Sequence, residues 1–147
     1  MSDNYYSVRF HEGKKFLDIT ACILAEAKKY SFYHTELSFL LAMNIVGNIQ
    51  NIPTSAEYFY VFNSKGWAVI LLKPTFVEVK YIFVRPEYRR TGFFTQLVKK
   101  LKGHEKEISV CTRQEIMVKA LVKNGFKLNG RSTNGEELRY DLRPENF

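Results

Sequence analysis

Arg89-Arg90-Thr91-Gly92 is the stretch whose residue types best suit chemistry, because it joins two unlike patterns. Before it runs FVEVKYIFV, residues 76 to 84, β-branched and aromatic like a strand covered on both faces. After it, Phe93, Phe94, Leu97, Val98 and Leu101 recur at helical spacing, with Lys99, Lys100 and Lys102 opposite and Gly103 as the stop. A strand turning into a helix start leaves several backbone N–H groups aimed at one spot, here beside two arginines. That spot suits a phosphate. Glu78 and Lys80 stand two apart on one strand face, where a carboxylate can pair with its neighbour or take a proton.

The rest of the chain must position that turn. Residues 5–10 read as a short strand, followed by a turn at His11-Glu12-Gly13. Phe16, Ile19, Thr20, Ile23, Leu24 and Ala27 then follow helical spacing to Lys28-Lys29. After the aromatic linker Tyr30-Ser31-Phe32-Tyr33-His34, Thr35 is the expected N-cap of a second helix lined by Leu37, Leu40, Leu41, Asn44, Ile45 and Ile49, with Pro53 at its exit. Residues 58–62 and 67–72 are strands joined across Asn63-Ser64-Lys65-Gly66, and Lys73-Pro74-Thr75 turns the chain into the central strand. Beyond Gly103, residues 108–111 form a short strand. Thr112 and Glu115 have capping-box spacing before a helix carrying Ile116, Met117, Ala120 and Leu121, stopped at Asn124-Gly125. The last two strands begin at Phe126 and Leu138, with Asn134-Gly135 the expected turn and Asn129-Gly130 its competitor.

Composition sets wide bounds. The 147 residues suffice for one domain with a real core, and 46% hydrophobic with 25% charged residues is ordinary for a globular chain. Twenty-two Lys and Arg against 15 Asp and Glu leave +7, a field that favours anionic partners without choosing among nucleic acid, a phosphorylated cofactor and an acidic protein face. Cys22 and Cys111 are far apart, as are the three histidines, so no metal site is expected. No apolar run has membrane-spanning length and the N-terminus lacks the core of a signal peptide, which makes a cytoplasmic protein with no membrane partner the expectation.

The run VRPEYRRTGFFTQL, residues 84–97, resembles the pyrophosphate loop of the GNAT superfamily of N-acetyltransferases: Arg or Gln, two variable residues, Gly, one variable residue, then Gly or Ala. Arg89, Gly92 and Phe94 fall on those positions. The last is a departure, and its benzyl group fits only if it points into the core. The element order is also that of the superfamily over nearly the whole chain, and Asn124-Gly125-Phe126 resembles the usual Leu-Gly-Phe there. The resemblance implies an α/β (α+β) fold: residues 1–147 as a single GNAT-like domain, with a mixed, mostly antiparallel sheet flanked by about four helices in the order β-α-α-β-β-β-α-β-α-β-β.

It further implies acetyl-CoA as cofactor, bound along Phe83 and Val84 and at Arg89, Arg90, Thr91, Gly92, Phe93, Phe94 and Thr95, and an amine acceptor that is a small molecule or a protein. Glu78, eleven residues before Arg89, takes about the place of the glutamate base in the histone-acetyltransferase branch. Many members carry a tyrosine as general acid where this chain has Leu121, so Cys111, at the end of the strand beside the pantetheine arm, is the stand-in. Tyr30, Phe32 and Tyr33 would wall the acceptor pocket. A homodimer is compatible with the resemblance.

Plainer readings stand beside these. Glu78 and Lys80 could be a solvated ion pair, Cys111 inert packing, and the aromatics a plug at the sheet edge. Two other functions compete: a catalytically weakened GNAT-like domain that binds a protein, of the kind some phage-encoded members resemble, and a small basic nucleic-acid binder. Only charge and exposed aromatics support the binder, so nucleic acid is not the expected partner.

Overall fold

The computed structural model describes residues 6–9, 14–49, 57–132 and 135–147, with side chains described for 14–42, 58–132 and 135–147. The strands are β1 (Tyr6–Arg9), β2 (Glu57–Asn63), β3 (Gly66–Leu72), β4 (Phe76–Val84), β5 (Glu107–Thr112), β6 (Lys127–Arg131) and β7 (Leu138–Leu142). The α-helices are α1 (Lys14–Lys29), α2 (His34–Ile49), α3 (Phe93–Leu101) and α4 (Glu115–Lys123). Their order is the one the sequence predicts. The strands form one sheet in the order β1-β2-β3-β4-β5-β7-β6, antiparallel throughout except for β4 beside β5.

Two apolar layers sandwich the sheet, and strand alternation assigns side chains to them. On one face, Phe16, Ile23 and Ala27 of α1 and Leu37 and Leu41 of α2 pack on Tyr60, Trp67, Val69 and Phe83. On the other, Phe93, Leu97, Val98 and Leu101 of α3 and Leu121 of α4 pack on Val61, Ile70, Val77, Val79, Ile108 and Val110. The four α3 residues are all buried, and at about 2 kcal/mol each they hold the helix whose first turn faces the candidate anion seat.

Irregularities matter more than the layers. In the β3–β4 ladder Val69 pairs with Tyr81 and Ile70 with Val79, so Lys80 is an extra residue with no partner on β3. This bulge flips the alternation: Val77 and Val79 face α3 and α4, whereas Tyr81 and Phe83 face α1 and α2. Gly66 closes the β2–β3 hairpin because a Cβ there would stand 2.1 Å from the Phe83 carbonyl oxygen.

Some local expectations change. Helix α2 begins at His34, so Thr35 lies inside it; Tyr33, at φ +48°, makes the turn, and its carbonyl accepts the Leu37 N–H. Thr112 is not half of a capping box. It ends β5, its hydroxyl accepts the Gln114 N–H at 3.0 Å, and Gln114 is the N-cap of α4. Asn129-Gly130 is not a turn but an irregularity within β6, where the register shifts between Leu128 and Arg131. The reversal lies between Ser132 and Glu137, whose carbonyl accepts the Ser132 N–H. Tyr5, Phe10 to Gly13, Pro53 and Asn134, and the side chains of Asn44, Ile45 and Ile49, lie outside the described residues.

Candidate active site

Strand β4 runs parallel to β5 only from Phe76–Glu107 to Val79–Val110. Beyond Val79 it pairs with β3 alone, and the two parallel strands part. Lys80 is therefore off both ladders. The cleft that opens has a volume of about 370 Å³. Its β4 wall is Val79 to Ile82, its β5 wall Val110 to Thr112, and Tyr33 and Glu36 approach from the α1–α2 side, with Glu136 and Glu137 from the last hairpin.

At its far end β4 leads into the loop singled out from the sequence. Arg85 fixes the exit: its N–H donates to the Lys65 carbonyl, its guanidinium donates twice to Glu26 of α1 at 2.8 Å, and Nη1 donates to the Ser64 carbonyl at 2.6 Å. Arg89 turns its Nε onto the Val84 carbonyl at 3.2 Å, and the Thr91 hydroxyl donates to the Tyr88 carbonyl. Arg90 at φ +66° and Gly92 at φ +87° bend the chain into α3. A Cβ at Gly92 would meet nothing within 4 Å, so the backbone angle, rather than crowding, calls for glycine here. The carbonyl of Gly92 accepts the Gln96 N–H at 3.0 Å, which leaves the first-turn amides, those of Phe94 and Thr95 among them, without a carbonyl partner inside the helix. Arg89, Arg90, Thr91, Gly92 and Thr95 are exposed, whereas Phe93 is buried. The Phe94 ring lies against the core, 6.0 Å from that of Phe126. With that ring turned inward, the start of α3 is flanked by exposed Arg89 and Arg90 and is a candidate seat for an anion.

Of the remaining candidates, Phe32, Tyr33 and Cys111 line the cleft, whereas Glu78 is not among its lining residues and reaches it only through Lys80. Glu78 accepts an ion pair from Lys80 at 3.3 Å, and their side chains are 17% and 35% exposed. Burial works to lower the Lys80 ammonium, but Glu78, as charge and as hydrogen-bond acceptor, helped by Tyr58 and Tyr81, raises it above the usual lysine value. Cys111 lines the cleft. Burial raises its thiol, as do the carboxylates of Glu78 and Glu137 against the pull of Arg139 and Lys80, so it is protonated at neutral pH. Phe32 packs edge-on to Trp67, 5.7 Å between centroids, and also reaches the cleft. Tyr33 lines the cleft against Tyr81, whose hydroxyl is raised by burial and by the Glu36 carboxylate. Tyr30 sits instead on Phe83, at 5.3 Å, away from the cleft walls. The Phe83 side chain belongs to the α1–α2 core, so only its backbone faces the parting of the strands. Leu121 is fully buried.

Two participants are missing from the sequence reading. Nothing near Arg85 announces Glu26, 59 residues away. In the sequence Lys80 stands out only as an ion-pair partner of Glu78, because no residue type marks the bulge that puts it at the parting of β4 and β5. Among the described residues no group of His, Cys, Asp and Glu could hold a metal ion, and no helix is long and apolar enough to cross a membrane.

A mixed sheet that parts after Val79 and Val110, with a loop into α3 where β4 ends, defines the class: the chain has the fold of the GNAT superfamily. No protein-family model and no curated protein matches the sequence. Solved structures match it over nearly its whole length. A GNAT-family protein from Desulfovibrio desulfuricans superposes with a TM-score of 0.65 at 10% identity, covering 96% of this chain and 99% of that one. The N-acetyltransferase PseH from Campylobacter jejuni, in complex with acetyl coenzyme A, gives 0.59 at 13% identity over 95% and 99%. PaiA N-acetyltransferase from Thermoplasma acidophilum, in complex with coenzyme A, gives 0.57 at 14% over 97% and 99%.

Proposed function

We propose that residues 1–147 act as one N-acetyltransferase domain that moves an acetyl group from acetyl-CoA to a primary amine of a protein or small molecule. One observation carries the reading: the positive-φ loop before α3 and the parting of β4 from β5 lie at successive points along the same strand. A pyrophosphate on the amides of the Arg90–Thr95 stretch, with Arg89 and Arg90 adding charge, leaves the pantetheine arm to follow β4 past Val84 and Phe83. The thioester then comes to rest near Lys80, where a strand N–H outside the ladders can polarise its carbonyl.

The acceptor must lose a proton first. An amine with a pKa of about 10.4 is only about one part in a thousand neutral at physiological pH, so a base adds much to the rate. Glu78 is that base, and the Cys111 thiol, which burial keeps protonated, gives its proton to the departing sulfur. Phe32 and Tyr33 guide the acceptor stem from the α1–α2 side.

Stabilisation in a thermal melt by acetyl-CoA, and thiol release with at least one amine from a panel, test the reading. Absence of both defeats it. Binding without thiol release supports a catalytically weakened protein-binding domain, a second reading favoured by the engagement of Glu78 with Lys80.

A further inference from the structure

We propose that Lys80 is an acetyl acceptor within the chain itself, modified on Nζ when acetyl-CoA is bound and no other amine fills the cleft. This rests on the acetyltransferase reading above. Three observations meet at this residue. Its backbone is off both the β3 and β5 ladders, at the point where the β4 edge first opens to a bound thioester. It is the only lysine among the described residues that line the cleft; the other basic side chain there, Arg113, carries a guanidinium, which is no nucleophile. Its ammonium stands 3.3 Å from Glu78 Oε2, so nucleophile and base are already in contact.

The step balances. One proton passes from Nζ to the Glu78 carboxylate, and the freed electron pair forms the N–C bond as the C–S bond breaks. The sulfur leaves with that bond's electron pair and takes the second proton, directly or through Cys111, while Glu78 returns its own to solvent. The products are an amide at Lys80 and the free thiol of coenzyme A. The paired ammonium is harder to deprotonate than a free one, which opposes the step. Proximity works the other way, because a tethered amine beside the acyl carbon needs no encounter. Acetylation would also remove the charge that engages Glu78.

The test compares two acetyl donors on the intact protein, with sites mapped by peptide mass spectrometry. Lys80 is exposed, as Lys99 and Lys100 are, but its ammonium is paired with Glu78, so with N-hydroxysuccinimide acetate it should lag behind them. Acetyl-CoA should reverse that order, with Lys80 ahead by at least about tenfold. Lys80→Arg, which keeps the charge on Glu78, should abolish the modification while the protein melts normally and is still stabilised by acetyl-CoA. If acetyl-CoA stabilises the protein and added amines are acetylated, but Lys80 is modified no faster than Lys99, self-acetylation is wrong and the acetyltransferase reading stands. If acetyl-CoA neither stabilises the protein nor modifies it, both fall.

Discussion

Replacing Phe94 with alanine separates two views of the candidate anion seat. In the structure the ring is partly buried, packs on the α3–α4 core and lies 6.0 Å from Phe126, so its removal leaves a hole in the core and nothing new in the loop. A fully buried Phe→Ala change costs about 3–5 kcal/mol; for a ring only partly buried about 2 kcal/mol is the fitting figure. In a chain of this size that lowers Tm by about 6 °C. The backbone amides of the loop are unchanged, so coenzyme A affinity, measured by calorimetry on the folded variant, should stay within about twofold. Were the ring instead occupying the seat, the variant would bind coenzyme A more tightly and melt at the parent temperature. That pair of results would refute the assignment of the ring to the core and the diphosphate to the loop.

Gly92→Ala should cost about 1 kcal/mol from its positive φ alone, and Gly92→Asn less, since asparagine tolerates this region; a melt series in that order checks that conformation, not crowding, is responsible. Thr20→Val should cost about 1–3 kcal/mol in denaturant unfolding, because it leaves the buried Tyr60 hydroxyl, now 2.8 Å from Thr20 Oγ1, without that partner. Glu78→Gln should lower thiol release by about 100-fold or more while acetyl-CoA binding persists; an unchanged rate would remove Glu78 from catalysis. The raised Cys111 thiol has a signed consequence. Above pH 9.0 the unfolded chain ionises this thiol first, so the folded state loses stability through the alkaline range, and Cys111→Ser should flatten that part of the stability curve. Iodoacetamide at pH 8 should label exposed Cys22 before Cys111.

The order of elements was legible because each carries its own period: α1 at Phe16, Thr20, Ile23 and Ala27, all buried as the spacing requires, and β3 as the unbroken run GWAVILL. The turn at Gly92 was legible too, since a strand pattern giving way to a helix pattern across Arg-Arg-Thr-Gly has few other readings. Short caps were not. Thr112 and Glu115 have the right spacing, but ladder pairing of Thr112 with Leu138 extends β5 and takes Thr112 out of the helix start. The same competition turned Asn129-Gly130 from a turn into an irregularity within β6.

What the sequence by itself determined is the list of elements and the loop that ends β4, because both depend on residues near one another in the chain. What only the tertiary structure decided is where β4 leaves β5 and which side chains surround that opening. Lys80 becomes an extra residue only when β3 and β5 are both in register beside it, and Cys111, Tyr33 and Glu137 reach the same cleft from three separate segments. Contacts of that kind depend on how the ladders close, a property of the assembled sheet that no local pattern encodes.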